Sequence, residues 1–211
     1  MLRDDIKEFL NEIDDNVCVV AATKYVDSNQ MINLFNAGVY NFGENRVDSF
    51  LKKYDELKDY PIKWHFIGHL QRNKAKLIAN KIDYLHSLDS LELAKMLNDL
   101  RTKPLNTFIE ISINLEETKN GVEPDKAFDF IKEALQYKNI NIVGLMMMTV
   151  KYSNHDELIK QFKALADLKD KLEKDLNIKL PYLSMGMSDD YKEAIMSGAT
   201  HVRLGRILWK M

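Results

Sequence analysis

The sequence predicts an α/β fold: a single-domain (β/α)8 TIM barrel with one extra helix before the first strand. Three observations predict it. Short apolar runs alternate with helical patterns along all 211 residues. The runs number eight, a count that favours closure into a barrel over an open doubly wound sheet, the competing arrangement. No linker, repeat or low-complexity stretch breaks the alternation, so residues 1–211 are expected to form one domain.

The elements follow in order. "MLRDDIKEFLNEIDD" is acidic and amphipathic, which predicts a helix over Leu2 to Ile13. It lacks a long apolar core, so neither a signal nor a transit peptide is expected in it. "VCVVAAT" reads as a buried first strand. "SNQMINLFNAG" is a helix with Ser28 as N-cap and Gly38 as stop. "VYNFG" is the second strand and "ENRVDSFLKKYDELK" its helix. "KWHFIG" and "NKAKLIAN" make the third pair, "IDYLHSL" and "SLELAKMLNDLR" the fourth. "NTFIEISIN" is the fifth strand, and "PDKAFDFIKEALQ" a helix opening at Pro124. "INIVGLMMM" is the sixth strand, followed by the long helix "NHDELIKQFKALADLKDKLEKDL". "LPYLSMG", "DDYKEAIMSG" and "THVRLG" complete the series. Only "RILWKM" remains, too short for a full last helix, so the N-terminal helix is expected to cover the closing seam.

Bulk composition narrows the function. Hydrophobic residues make up 45%, and thirty basic residues against thirty-two acidic leave a formal charge of −2. Such a balance gives no support to a general nucleic-acid or membrane-surface binder. Cys18 is the only cysteine, which excludes an intramolecular disulfide and a four-cysteine metal site. It sits in an apolar run, where a buried inert thiol fits. No apolar segment approaches a membrane span, and a cytoplasmic protein is expected. Neither the G-x-G-x-x-G fingerprint nor a Walker A motif is present.

Barrels place ligands at the C-terminal ends of their strands. The polar residues just past each run are Lys24; Asn41, Glu44 and Asn45; His65 and His69; His86; Asn114; Met146 to Thr149; Ser184 to Ser188; and Arg203 to Arg206. They are expected to converge on one mouth. Lys24 suits a snorkelling surface residue, and it equally suits a nucleophile that forms a Schiff base with a carbonyl. "SMGMS" follows strand seven and "GR" follows strand eight. Small residues there let backbone N–H groups approach an anion, and barrels often hold phosphate between these loops. Tight turns and capping by Asp189 and Asp190 would use the same residues. Taken together, a lysine on strand one and a phosphate cup at strands seven and eight describe a phosphorylated aldehyde held at both ends. His65 and His69 are four apart, but a strand and a glycine lie between them and no H-E-x-x-H glutamate is in place, so no metal is expected. His86 and His201 read as capping or core histidines. "LMMMT" reads as adaptable packing and as an apolar wall beside a flat ring.

At these residues the sequence resembles the pyridoxal phosphate homeostasis proteins, single-domain relatives of the barrel half of fold-type III enzymes such as alanine racemase. The matching stretches are "VAATK", "NFGENRV", "WHFIGHLQRNK", "HSLDSLELA", "ISINLEETKNG", "GLMMM", "LSMGMSDDYKEAI" and "GATHVRLG". The resemblance implies a barrel holding pyridoxal 5′-phosphate (PLP). By motif match, Lys24 carries it as a Schiff base. Ser184 and Ser188, with the backbone at Gly205 and Arg206, hold the phosphate. Arg203 faces the pyridine nitrogen, Asn45 and His65 line the pocket, and Met146 lies in the apolar wall. Three departures stand out. Thr23 replaces the usual serine. Arg206 stands where threonine is common, so its side chain is not expected to copy that contact. The sequence ends at Met211, short of the tail many members carry.

The resemblance implies a role in intracellular vitamin B6 and amino-acid homeostasis with no settled reaction. Two features favour carrying the cofactor over using it. The second domain that brings a tyrosine acid/base to the racemases is expected to be absent. An arginine at the pyridine nitrogen also weakens the cofactor as an electron sink. A weak PLP-dependent amino-acid racemase is the competing expectation, and a cofactor-free Schiff-base aldolase a third. Apo-enzymes that receive PLP are the implied partners, and a monomer is expected.

Overall fold

The computed structural model describes residues 1–113, 120–150 and 153–210. Its strands are β1 (Cys18–Ala22), β2 (Asn41–Glu44), β3 (Lys63–Phe66), β4 (Tyr84–Leu88), β5 (Leu105–Glu110), β6 (Ile140–Met146), β7 (Tyr182–Ser184) and β8 (His201–Leu204). All pair in parallel with their neighbours in sequence order, and β8 pairs back to β1, with Val20 opposite Arg203. This is the expected closed barrel. Parallel strands covered on their outer face read as continuous apolar runs, which is why the runs were visible. One close approach needs glycine. A Cβ at Gly144 in β6 would lie 1.9 Å from the Tyr182 carbonyl oxygen, so any side chain there would push β7 away.

The helices are α1 (Ile6–Asn11), α2 (Ser28–Asn36), α3 (Val47–Glu56), α4 (Arg72–Ile78), α5 (Leu91–Leu100), α6 (Ala127–Ala134), α7 (His155–Leu176) and α8 (Tyr191–Met196). Three expectations change in detail. The N-terminal helix is only six residues long, because residues before it run against the chain's other end. Leu2 bridges Trp209, and the Lys210 N–H donates to the Met1 carbonyl at 2.8 Å. The helix does reach the seam, with Phe9 edge-on to Tyr191 at 6.0 Å. The N-cap of α2 is Asp27, not Ser28. Asp27 accepts the Gln30 N–H at 2.8 Å, and the Gln30 side chain accepts the Asp27 N–H at 2.9 Å, a reciprocal capping box. Pro124 opens a 3-10 turn (Pro124–Lys126) ahead of α6.

The apolar core lies in two places. The larger fills the layer between strands and helices, with Phe42, Phe50, Phe66 and Phe162 fully buried. The smaller fills the barrel itself, where Phe108, Val143 and Met146 pack with Tyr84 and Tyr182. Among the described residues, no helix is long and apolar enough to cross a membrane.

Candidate functional site

β1 stops at Ala22, and Lys24 follows in an exposed turn. Its ammonium sits over the Tyr25 ring at 4.6 Å, a cation–π contact. Lys24 and Tyr25 line a cavity of about 360 Å³ with Asn45, Arg46, Asp48 and Ser49 from the β2–α3 turn and the first turn of α3. The strand parity that turns Val20 and Ala22 inward carries Lys24 to the rim.

The loop after β7 forms a cup against β8. The Ser188 hydroxyl accepts the Gly205 N–H at 3.1 Å and the Ile207 N–H at 3.4 Å. Two backbone donors thus converge on one oxygen. Gly186 has a φ of +90°, and a Cβ there would meet Ala194 Cβ at 2.5 Å, so glycine is needed for the loop to fold back on α8. Its carbonyl takes the Arg203 N–H at 2.9 Å, which ties the loop to β8. Asp190 braces the other side, accepting Met187 N–H at 2.5 Å and the Thr149 hydroxyl at 2.7 Å. The cup abuts the start of the lysine turn. A Cβ at Gly205 would lie 3.7 Å from Ala22 Cβ.

Beneath the cup, a chain of hydrogen bonds runs down inside the barrel. Arg203, 5% exposed, donates to the Ser184 hydroxyl at 2.8 Å and to the Met147 carbonyl at 3.0 Å. Ser184 Oγ is 2.8 Å from His86 Nδ1, His86 Nε2 is 2.9 Å from His65 Nδ1, and His65 Nε2 is 3.1 Å from Asn41 Oδ1. β4 and β7 are not sheet neighbours, so the His86–Ser184 bond crosses the interior. Arginine can only donate, so the Ser184 hydroxyl hydrogen points to His86 Nδ1. Each histidine then carries its proton on Nε2. Burial drives both histidines well below the ordinary value, helped by neighbouring positive charge, and keeps them neutral. His65 also stacks on Tyr84 at 4.5 Å. Burial lowers Arg203 to about 10, against the pull of Asp190 and Glu110, and it stays a cation at neutral pH.

An acidic side completes the mouth. Glu110 ends β5 almost fully buried, and desolvation, reinforced by Asp89, raises it to about 7. Asp89 is itself raised by burial and pairs with His69 at 3.2 Å. Among the described residues, no group of His, Cys, Asp and Glu is arranged to hold a metal ion.

Six of the nine expected site residues fall into three pairs. Lys24 and Asn45 share the cavity; Ser188 and Gly205 share the cup; Ser184 and Arg203 share one hydrogen bond. His65 and His86 are fully buried within the barrel, and Asn41 opens β2 rather than ending it. Met146 is buried in the interior cluster, and the Met147 carbonyl next to it meets Arg203. The Arg206 side chain is exposed and pairs with Asp189. Glu44 faces outward to Lys53 of α3. Asn114, and the stretch from Leu115 to Lys119 within "ISINLEETKNG", lie outside the described residues. Sequence reasoning passed over Ile207, which acts only through its N–H, and Glu110, which follows an apolar run as any strand-end carboxylate would.

Known proteins share this sequence pattern and fold. The family model described as "Alanine racemase, N-terminal domain" matches residues 2–211. The pyridoxal phosphate homeostasis protein of Aquifex aeolicus is 39% identical over 194 residues, covering 90% of this chain and 85% of its own. Among solved structures, PipY of Synechococcus elongatus without PLP superposes with a TM-score of 0.94 at 27% identity over the whole of both chains. The same protein with PLP bound gives 0.90 at 28% identity, covering 97% of this chain and all of that one. By both sequence and fold, this chain belongs to the pyridoxal phosphate homeostasis protein family, on the barrel of the alanine racemase N-terminal domain.

Proposed function

We propose that residues 1–211 form one PLP-binding domain that acts in PLP homeostasis, with the cofactor held at the barrel mouth as a Schiff base on Lys24. The observation that carries this is the cup: two backbone N–H groups already converge on the Ser188 oxygen, beside a loop that glycine closes. That is the donor set a phosphate oxygen needs. Ser188, Gly205 and Ile207 are the phosphate ligands on this reading. Ser184 joins them from below, its hydroxyl shared with His86 and with the Arg203 guanidinium that it holds in place. PLP, when bound, supplies an aldehyde carbon and an aromatic electron sink. Lys24 Nζ would join that carbon, with the aldehyde oxygen leaving as water and no change of oxidation state. Arg203, a buried cation, would face the pyridine nitrogen, keep it unprotonated and so favour holding the cofactor over reacting it.

The test is spectroscopic. Purified protein with PLP should be yellow, borohydride should bleach the colour, and the trapped mass should sit on the Lys24 peptide. Lys24→Ala should not colour. A protein that stays colourless with excess PLP overturns the proposal. Rapid, Lys24-dependent proton exchange at Cα of an amino acid would replace the carrier role with an enzymatic one.

A further inference from the structure

A buried polar group lies behind Lys24, on the outer face of the barrel, and the cofactor site makes no use of it. Lys53 sits inside α3 at 7% exposure, and Thr23 and Glu44 are fully buried. Lys53 Nζ donates to the Thr23 carbonyl at 2.6 Å and to Glu44 Oε1 at 2.5 Å. The Thr23 hydroxyl donates to the same Glu44 oxygen at 2.5 Å. Glu44 Oε2 is buried with no partner among the described residues.

The Thr23 carbonyl belongs to the peptide unit that leads into Lys24. A strand usually hands such a carbonyl to the next strand, but this one accepts the Val26 N–H at 3.1 Å within the lysine turn and, more tightly, the Lys53 ammonium from α3. The Thr23 N–H goes to the Gly43 carbonyl at 3.0 Å, so both faces of the residue before Lys24 are fixed. α3 holds Lys24 from two directions: its first turn lines the lysine cavity, and Lys53, further along, grips the backbone behind it.

We propose that Glu44 and Lys53 are positioning residues for Lys24, setting the peptide plane from which its amine reaches the cofactor aldehyde. The inference rests on the PLP reading above. Stability alone is a poor reason for the pair. A buried lysine–carboxylate pair spends most of its attraction on desolvation, and apolar replacements are often as stable. An unsatisfied buried oxygen adds to that cost. Placement of a nucleophile is a service that apolar side chains of the same volume would not perform.

The test separates holding from bonding. Pyridoxine 5′-phosphate has an alcohol in place of the aldehyde, so it fills the cup and forms no bond to Lys24. The pair variant Glu44→Gln with Lys53→Met should bind it within twofold of wild type. The same variant should form the borohydride-trappable Lys24 adduct with PLP at least tenfold more slowly. Lys53→Arg, which keeps both donors, should restore most of the rate. If the pair variant does not fold, Glu44→Asp decides: it keeps the charge, shortens the reach, and should slow adduct formation severalfold. Adduct formation at the wild-type rate in the pair variant or in Glu44→Asp overturns the inference, and so does a parallel loss of both ligands. A wild-type chain that traps no adduct on Lys24 sinks the Schiff-base reading, and this inference with it. A normal wild type beside an unaffected variant sinks this inference alone.

Discussion

Replacing Glu110 with glutamine tests the acidic side of the mouth through pH. Burial raises this carboxyl from 4.5 to about 7 in the folded chain. The folded protein therefore keeps a proton that the unfolded chain releases near 4.5. As pH climbs between those values, the unfolded state gains from ionising while the folded state cannot, so stability falls. The loss is complete just above pH 7. That gap is worth about 3 kcal/mol. Glutamine has the same shape and does not ionise, so Glu110→Gln keeps what wild type loses. The variant should match wild type at pH 4.5 and exceed it by about 3 kcal/mol at pH 8, a rise of roughly 6–12 °C in Tm for a chain of this size. His201 acts with the opposite sign. Burial lowers it to about 4, so acidification below 6.5 costs stability in both proteins. Buried neutral His65 and His86 add to that cost, so both proteins should lose stability between pH 7 and 5, wild type less steeply because Glu110 offsets part of the loss. Urea unfolding at five pH values reads all of this. A difference between the two proteins that does not change with pH would refute the account of Glu110 as a carboxyl ionised only against burial.

Three further outcomes are expected. Ser188→Ala removes the oxygen that gathers the Gly205 and Ile207 donors and a hydrogen bond to phosphate; at about 1.5–3 kcal/mol for such a bond, PLP affinity should drop roughly 10- to 150-fold by fluorescence titration. Gly144→Ala drives a methyl into the Tyr182 carbonyl and should cost about 3 kcal/mol or more, read as a lowered Tm or lost soluble protein. A variant melting like wild type would mean that β6 and β7 lie further apart. Asn154→Ala removes the capping box of α7, where Asn154 accepts the Glu157 N–H at 3.0 Å, and should cost about 1 kcal/mol in urea unfolding.

The barrel was legible because each strand is a short apolar run with a helical pattern after it, and burial on both faces writes that run plainly. Boundaries were less so. Asp27 and Ser28 are both good caps, and only the Gln30 side chain reaching back decides between them. At the mouth, Lys24 and the "SMGMS" loop announced themselves by breaking apolar runs. The interior chain gave no such signal. Ser184 and His86 are 98 residues apart, and no local spacing joins them. Lys53 was hidden differently. In "FLKKYDELK" it looks like the exposed Lys52 beside it, and one step around the helix puts it inside. Whether a charged residue faces water or core depends on helix phase, which a run of two lysines leaves undecided.

The chain from Arg203 to Asn41 has a further consequence. Its protons all point one way, because the guanidinium at its head can only give and the Asn41 oxygen at its foot can only receive. A link of such a file cannot be exchanged by itself. Phenylalanine for His86 would strand a hydroxyl hydrogen above and a ring nitrogen below. Relatives that lack one of these side chains should lack several, with the barrel interior rewritten as a block. The chemistry of the rim is in that sense inherited together with the floor.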